Sequence, residues 1–216
     1  MRLHGYFRSS TSYRLRIALN LKGLDYDYIP VNLLTSEQKS PAYTSRNPFG
    51  SVPLLEADGR DRAQSMALLE WLDEAYPQPP LLPADIEDRY TVRELAYAIA
   101  TEIHAVNNSP VLKYLADPLG HSQEEIAVWY RHWLARTLEP VETRLAQLGT
   151  CDFLFTAPGL FEVVLLPQVY NARRLAFDFS AMPHIERIEA ACLALDPFHR
   201  AHPENQPDNP QKDQTV

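Results

Sequence analysis

A run of four hydroxyl residues near the start of the chain has the residue types to stabilise an anion. Residues 9–12 read Ser-Ser-Thr-Ser and stand between a short apolar run and an amphipathic run, Leu15 to Leu21. Serine and threonine favour helix N-caps, because their oxygens accept from the orphan N–H groups of the first turn. Those N–H groups and the helix dipole also attract anions. The segment therefore predicts a strand that delivers hydroxyl groups to a helix start, where an anion such as a thiolate would be stabilised. The alternative is an N-cap without chemistry.

Two further pairs of residues in the first half have the types to bind a peptide-like ligand. Val52-Pro53 lies inside a predicted strand, and a cis peptide bond there would expose the N–H and C=O of Val52 to an extended ligand. A trans proline at a sheet edge is the alternative. Gln64-Ser65 begins the next predicted helix, with Ser65 as its cap. This helix start suits a small carboxylate, unless it serves only as a cap.

Polar residues also interrupt two apolar helical stretches in the second half. His104, Asn107 and Asn108 are poor residues for the interior of an apolar helix, so they line a cleft or form a buried polar network. Arg173 and Arg174 follow the apolar stretch that begins at Leu166. They face either a cleft or solvent, which is the usual fate of arginine.

Composition excludes several classes of function. The 216 residues carry 20 basic and 28 acidic side chains, a formal net charge of −8, which argues against a nucleic-acid partner. The two cysteines form no CxxC pair, and no metal-ligand spacing occurs, so we expect no metal site and no disulfide framework. There is no signal-like start and no apolar run of membrane-spanning length, so we expect a cytoplasmic protein without a membrane partner.

The predicted elements divide the chain into an α/β part and a helical part. We expect the order β-α-β-(α)-β-β-α over the first 76 residues, with strands at Leu3–Phe7, Tyr26–Val31, Ser51–Leu55 and Arg62–Ala63. Four prolines between 77 and 83 mark a linker. The chain beyond it shows helical spacing, apart from an ambiguous 153–155. We therefore predict domains at 1–80 and 86–205 and a disordered tail at 206–216, because the tail is polar and proline-rich.

Taken in order, these pieces resemble the glutathione transferase superfamily, and within it the zeta class. The resemblance covers roughly residues 1 to 205. It is carried by the strings YFRSSTSYRLRIALNLKG, NPFGSVPLL, QSMALLEWLDEAYPQPPLLP, EIHAVNNSPVL, LLPQVYNARR and AHPENQPD. The family's usual form of the first string is SSCSWRVRIAL, so that Thr11 stands where the family has cysteine. That position is not expected to be the nucleophile, and activity should survive the difference.

The resemblance implies a thioredoxin-like α/β N-terminal domain that binds glutathione and an all-α C-terminal domain that binds the second substrate. Catalysis would belong to Ser9, which opens the motif, and to Ser10 and Thr11 beside the glutathione sulfur. Hydroxyl donors and a helix N-terminus would lower the pKa of the thiol by favouring its anion.

The resemblance also implies residues that bind the two ligands. The residues expected at glutathione are Val52 before a cis Pro53, then Gln64, Ser65, His104 and Asn108, of which the last two reach toward glutathione or the substrate. Arg8 and Arg174 would hold the carboxylates of the substrate.

The activity that the resemblance implies is a glutathione-dependent cis–trans isomerisation. Maleylacetoacetate would become fumarylacetoacetate, a step of aromatic amino acid catabolism, on a homodimeric enzyme. Three alternatives stay open: a maleylpyruvate isomerase, a general glutathione transferase acting on small halogenated acids, and a non-catalytic interaction module of the same fold. Ser109-Pro110 stands where the maleylpyruvate branch has paired arginines, which favours maleylacetoacetate.

One departure from the family concerns helix capping. The family has a Ser/Thr-x-x-Asp capping box where this chain has Gly159 and Glu162. Because glycine supplies no side-chain acceptor, we expect a cost of about 1 kcal/mol in helix stability.

Overall fold

The computed structural model describes residues 1–211, which form two compact units. One unit contains Met1–Leu81 together with residues 193–211, and the other contains Leu82–Cys192. The α/β and helical parts expected from the sequence both exist. The stretch 193–205, however, belongs to the first unit and not to the helical domain predicted at 86–205.

The elements of the first unit begin with the strands and helices of an α/β fold. In chain order they are β1 (Arg2–Gly5), α1 (Ser10–Leu21), β2 (Asp27–Pro30), a 3₁₀ turn (Glu37–Lys39), α2 (Pro41–Thr44), β3 (Leu54–Ala57), β4 (Arg60–Ala63) and α3 (Ser65–Ala75). The elements of the second unit are α4 (Ile86–Tyr97), a π-helix (Ala98–His104), α5 (Ala105–Asn107), α6 (Ser109–Ala116), α7 (Gln123–Leu148), α8 (Leu160–Arg174) and α9 (Pro183–Leu193). The chain then returns to the first unit with α10 (Asp196–Ala201) and a 3₁₀ turn (Pro203–Asn205).

The four strands form one mixed sheet in the order β2-β1-β3-β4. β1 pairs with β2 in parallel and with β3 in antiparallel, and β3 and β4 form a hairpin. The hairpin turn contains Asp58 and Gly59, both with positive φ, as a two-residue turn of this handedness requires. This turn is the one predicted from the sequence, although β4 begins two residues earlier than expected.

Helix α1 lies at the centre of the first unit. Gly23, in the left-handed region, follows its end, and the Leu24 N–H donates to Leu19 O at 2.9 Å. α1 packs against both α3 and α10, and its residues from Ser12 to Leu19 are all buried. The helix that presents the hydroxyl run is therefore held from both sides.

The C-terminal segment is ordered over 206–211, contrary to the disordered tail expected there. Gln206 and Asn209 are buried, and the Gln206 amide donates to the carbonyls of Arg200 and His202. The polar side chains that suggested disorder instead satisfy backbone groups of the fold. The rest of the expected tail, 212–216, lies outside the described residues.

The second unit is helical throughout its regular elements, as predicted. The ambiguous stretch 153–155 forms bends and no strand. α7 begins with a full capping box, in which Ser122 and Glu125 exchange hydrogen bonds, and ends at Gly149 in the left-handed region. Among the helices of residues 1–211, none combines the length and apolar character that a bilayer span requires.

The start of α8 is built around a buried carboxylate. Glu162 is 1 % exposed and accepts from Leu154 N at 2.7 Å and from Gly159 N at 2.8 Å. Burial raises the pKa of Glu162, and the backbone donors partly counteract this. Gly159 indeed caps without a side chain. The longer glutamate reaches back to bond the cap residue and the preceding loop.

Candidate active site

The hydroxyl run forms the N-terminus of α1 and is linked to the chain at Val52. Ser9 is the N-cap, and its Oγ accepts from Ser12 N at 3.2 Å. Thr11 Oγ1 donates to Val52 O at 2.9 Å and lies 2.9 Å from Ser9 Oγ. Because the single proton of Thr11 is on the bond to Val52, the Ser9 hydroxyl is the donor in the Ser9–Thr11 pair. Two of the three predicted catalytic hydroxyl groups thus form a chain that ends on Val52.

The peptide bond between Val52 and Pro53 is cis, as predicted. Both residues are buried, and Val52 packs in an apolar cluster with Tyr6 and Phe7 at the end of β1. The link from Thr11 therefore joins the start of α1 to the segment that precedes β3. Arg8 lies in the loop between β1 and α1 and places its guanidinium 5.3 Å from the centre of the Phe7 ring.

The start of α3 differs from the sequence prediction by one residue. Gln64, not Ser65, occupies the N-cap, with φ 71° and ψ 106°, and its side chain makes no capping hydrogen bond. A non-glycine residue at this φ is strained, which is common at binding sites. Ser65 is the first helical residue, and its Oγ accepts from Arg14 Nη1 at 3.2 Å. The helix start is thus open to an external acceptor, and its serine is held by a buried arginine.

Two buried arginines of α1 were missed by sequence reasoning. Arg14 and Arg16 are 1 % and 0 % exposed. Arg16 donates to the carbonyls of Ala201 and Phe7, each at 2.9 Å. Arg14 has only the Ser65 bond, and its Nε and Nη2 are buried without a partner in the described chain. The signal that was available is two arginines within the apolar stretch of α1.

The loop that carries Arg8 is also held by the C-terminal segment. Asp208 Oδ2 accepts from Phe7 N at 2.9 Å and from the Tyr28 hydroxyl at 3.2 Å. Together with Arg16, which bonds Phe7 O, this carboxylate fixes both polar groups of the Phe7 backbone. The sequence analysis assigned no role to Asp208.

His104 and Asn108 lie in the second unit, at a change of helix type. The π-helix ends at His104, and π-helical turns frequently mark functional sites. Asn108 is the N-cap of α6 and accepts from Val111 N at 3.2 Å. Asn107 is buried, donates to Tyr130 O at 3.3 Å and leaves its Oδ1 without a partner in residues 1–211. The stretch is thus partly the buried network that was left open as an alternative.

The paired arginines at the end of α8 have different environments. Arg173 forms ion pairs with Glu189 and Glu186, which raise its pKa. Arg174 is exposed and lies close enough to Tyr130 to lower the pKa of that phenol, which burial raises. Arg174 is therefore the arginine of the pair that is available to an anion.

The structure brings part of the predicted set into direct contact. Within the first unit, Ser9, Thr11 and Val52 form one hydrogen-bonded chain, and Ser65 is bonded to the same helix, α1. In the second unit, Asn107 and Arg174 both lie near Tyr130.

A surface cavity of about 520 Å³ in the second unit contains none of the predicted site residues. Its lining includes three acids, Glu139, Glu142 and Asp178, and a single arginine. Such a lining does not suit an acidic substrate, and we place no chemistry there.

Comparison with known proteins connects this geometry to one family. A model of the "Glutathione S-transferase, N-terminal domain" matches residues 8–75. A maleylacetoacetate isomerase of Pseudomonas aeruginosa is 43% identical over 213 residues, which cover 97% of this chain and 99% of that protein.

Solved structures agree in fold over nearly the whole chain. The holo structure of a maleylpyruvate isomerase, a bacterial zeta-class glutathione S-transferase, superposes with a TM-score of 0.94 at 41% identity, covering 96% of this chain and 99% of the other. A maleylacetoacetate isomerase of Anaeromyxobacter dehalogenans, solved with glutathione in its active site, has a TM-score of 0.86 at 42% identity and 97% coverage of both chains. With this similarity along its full length, the chain belongs to the glutathione transferase superfamily and, within it, to the zeta-class family.

Proposed function

We propose that the protein is a glutathione-dependent cis–trans isomerase that converts maleylacetoacetate to fumarylacetoacetate. The observation that carries the proposal is the hydroxyl-rich N-terminus of α1, tied through Thr11 to Val52 before a cis proline. Full-length similarity to proteins named as maleylacetoacetate isomerases supports the choice of reaction.

The residues of the first unit have the chemistry to hold glutathione. The N-terminus of α3 offers backbone N–H groups and the Ser65 hydroxyl without a side-chain cap, which suits the γ-glutamyl carboxylate. The side-chain amide of Gln64 is exposed beside it. We assign the cysteinyl backbone to Val52, where the polar groups of an extended peptide find backbone partners. We assign His104 and Asn108 a supporting contact with glutathione or substrate.

The chemistry depends on an ionised sulfur. When bound, glutathione supplies a thiolate that adds to the cis double bond of the maleyl group and leaves again after rotation about the resulting single bond. A free thiol has a pKa of about 8.5, so little thiolate exists at neutral pH. Ser10 and the dipole of α1 would favour the anion and lower that pKa, while the Thr11–Ser9 hydroxyl pair holds the segment against Val52.

Arginines would hold the acidic substrate. The chain carries a net charge of −8, so attraction for a dicarboxylate must be local. Arg174 is exposed, and Arg8 is held against the Phe7 ring. We assign both to substrate carboxylates, where a planar guanidinium binds in a bidentate manner. Their charge would also stabilise negative charge that develops on the substrate.

Maleylpyruvate is the second candidate substrate, because a maleylpyruvate isomerase is so similar in structure. Against it, Ser109 and Pro110 begin α6 where arginines would be expected for that branch. A non-catalytic module is less consistent with the retained hydroxyl groups, the cis proline and the exposed Arg174. A general transferase would conjugate glutathione to a halogenated acid rather than return it.

We further propose a cytoplasmic homodimer. Both cysteines are free thiols, Cys151 exposed and Cys192 buried, which fits a reducing compartment. Large apolar side chains on α4, Ile86 and Tyr90, are exposed in the single chain and are suited to a subunit contact.

The test is a side-by-side assay of purified protein on maleylacetoacetate and maleylpyruvate, with and without glutathione. We expect conversion to the trans isomer, with maleylacetoacetate preferred and no turnover when glutathione is omitted. Glutathione should be recovered unconsumed. Binding to glutathione-agarose without any change in the absorbance of either acid would defeat the proposal of an isomerase.

A further inference from the structure

The two buried arginines of α1 differ in whether their N–H groups find acceptors. Arg14 and Arg16 are two residues apart, and both are completely buried. Arg16 is satisfied by carbonyl oxygens of Ala201 and Phe7, with Tyr6 O at 3.5 Å. Arg16 therefore has a structural explanation, since its donors connect α1 with α10 and the Phe7 loop.

Arg14 has no such explanation. Its Nη1 donates to Ser65 Oγ, while Nε and Nη2 are buried and find no acceptor among residues 1–211. Burial lowers the pKa of Arg14 to about 10, and no carboxylate counteracts this. The side chain is still charged at neutral pH, and an unpaired buried charge is costly. Proteins keep such an energetically costly group mainly at functional sites, where the charge can serve a ligand.

The bond from Arg14 determines which way the Ser65 hydroxyl works. A guanidinium can only donate, so Ser65 Oγ must be the acceptor. The hydroxyl proton of Ser65 is then left for another acceptor, and none is seen in the described part of the chain. Arg14 thus occupies a lone pair of Ser65 and leaves its O–H free to donate at the open N-terminus of the eleven-residue helix α3.

We propose that Arg14 is a positioning residue for the carboxylate-binding site at the start of α3, where it orients the Ser65 hydroxyl and supplies the buried positive charge that a bound carboxylate neutralises. The ligand group is the α-carboxylate of the γ-glutamyl residue, so the inference rests on the proposed binding of glutathione. Arg14 does not touch the ligand and acts through Ser65 and through its field. Three favourable groups then converge on one anion: the helix dipole, the serine hydroxyl and the buried guanidinium.

The test compares two ligands on full-length variants by isothermal titration calorimetry. One ligand is glutathione, and the other is γ-aminobutyryl-cysteinyl-glycine, which lacks only the α-carboxylate. The wild type should prefer glutathione by about 10- to 100-fold, the range of a charge-assisted contact. Arg14→Met should reduce this preference to less than about threefold by weakening glutathione binding alone. An equal loss for both ligands, or no loss, would overturn the assignment.

The unfolding temperature without ligand is a second measurement. Replacing an arginine with a purely structural role would lower it, whereas replacing Arg14 should not. Arg14→Met removes an unpaired buried charge and should unfold at the same or a higher temperature than the wild type. The matched control, Arg16→Met, leaves backbone carbonyls unpaired and should unfold at a lower temperature. If Arg14→Met also unfolds at a lower temperature and keeps the ligand preference, Arg14 is only structural.

Ser65→Ala keeps the test decisive if Arg14→Met does not fold. This variant leaves Arg14 in place and should reduce the same preference for glutathione. An unchanged preference would contradict the proposal that Arg14 acts through the Ser65 hydroxyl. Failure here is separable from failure of the proposed function. A wild type that does not bind glutathione refutes both, whereas a wild type that binds and discriminates beside an Arg14 variant that discriminates equally refutes only the role of Arg14.

Discussion

The three hydroxyl groups assigned to catalysis, among the four at the start of α1, are not equivalent donors. The protons of Ser9 and Thr11 are used in the chain that ends on Val52 O. Ser10 is the first residue of α1 and is buried there, at the positive end of the helix. A donor aimed at a developing or resident anion commonly contributes about 100-fold or more to turnover.

Ser10→Ala should therefore reduce kcat by about 100-fold, and Thr11→Ala by less than about tenfold. The ionisation of bound glutathione, followed by the ultraviolet absorbance of the thiolate, should shift to higher pH in Ser10→Ala. Equal losses in the two variants would mean that Ser10 is not the donor to sulfur.

The neighbours Arg173 and Arg174 allow a matched comparison one residue apart. Arg174 is exposed, while Arg173 is occupied by Glu189 and Glu186. Arg174→Ala should raise the substrate KM about tenfold or more and leave glutathione affinity within about twofold, because it removes a carboxylate partner. Arg173→Ala should leave the substrate KM unchanged and lower stability modestly. Comparable loss of glutathione binding in Arg174→Ala would reassign that residue.

Residue identity predicted the hydroxyl run at a helix start but not the buried arginines. Serine at a helix start has a local reason, the orphan N–H groups of the first turn, and so it can be predicted from the sequence. Arg14 and Arg16 alternate with leucine and isoleucine in a helix, a pattern that normally places arginine in solvent. Their burial comes from α3 on one side and α10 on the other, and that packing is not visible locally.

At the scale of elements, the C-terminal segment braces the loop that leads into α1. Asp208 is 201 residues from Phe7 in sequence and accepts its N–H at 2.9 Å. Arg16 holds the carbonyl of the same residue. The loop between β1 and α1, which carries Arg8 and Ser9, is thus held by the end of the chain.

Asp208→Ala should lower the free energy of unfolding by about 1–3 kcal/mol, because it leaves a buried N–H unpaired. It should also lower kcat/KM, since Ser9 and Ser10 follow directly on the loosened loop. Asp208→Asn is the matched control, because its amide oxygen can still accept from Phe7, and it should retain most of both quantities. Urea unfolding and steady-state kinetics measure the two effects. Equal losses of stability and of kcat/KM in Asp208→Ala and Asp208→Asn would show that the carboxylate charge matters and the Phe7 bond does not.

Elements with a strong local signal were predicted well, and elements held by distant contacts were not. The hairpin turn at Asp58-Gly59 and the helices of the second unit follow from turn chemistry and periodicity. The predicted cap of α3, Ser65, is one residue later than the observed cap, Gln64. The strained φ of Gln64 cannot be predicted from its residue type. The segment 206–211 resembles a disordered tail in composition. Its order is explained by contacts with distant residues of the same unit, Phe7 and Tyr28.

At the scale of the whole molecule, the surface of the second unit contains an apolar pair that predicts self-association. Ile86 and Tyr90 are 75% and 62% exposed and lie four residues apart, on one face of α4. Val128 on α7 is also exposed, at 60%, but it is a single, smaller side chain. Adjacent large apolar groups mark subunit contacts more often than isolated ones.

The chain should therefore have a mass of twice 24.6 kDa in size-exclusion chromatography with light scattering. The double substitution Ile86→Lys and Tyr90→Lys should give the monomeric mass, since four lysines brought together across a two-fold contact repel one another. Val128→Lys, the control in the same unit, should leave the dimer intact. A wild type that runs as a monomer would refute the dimer, and dissociation by Val128→Lys alone would move the contact from α4 to α7.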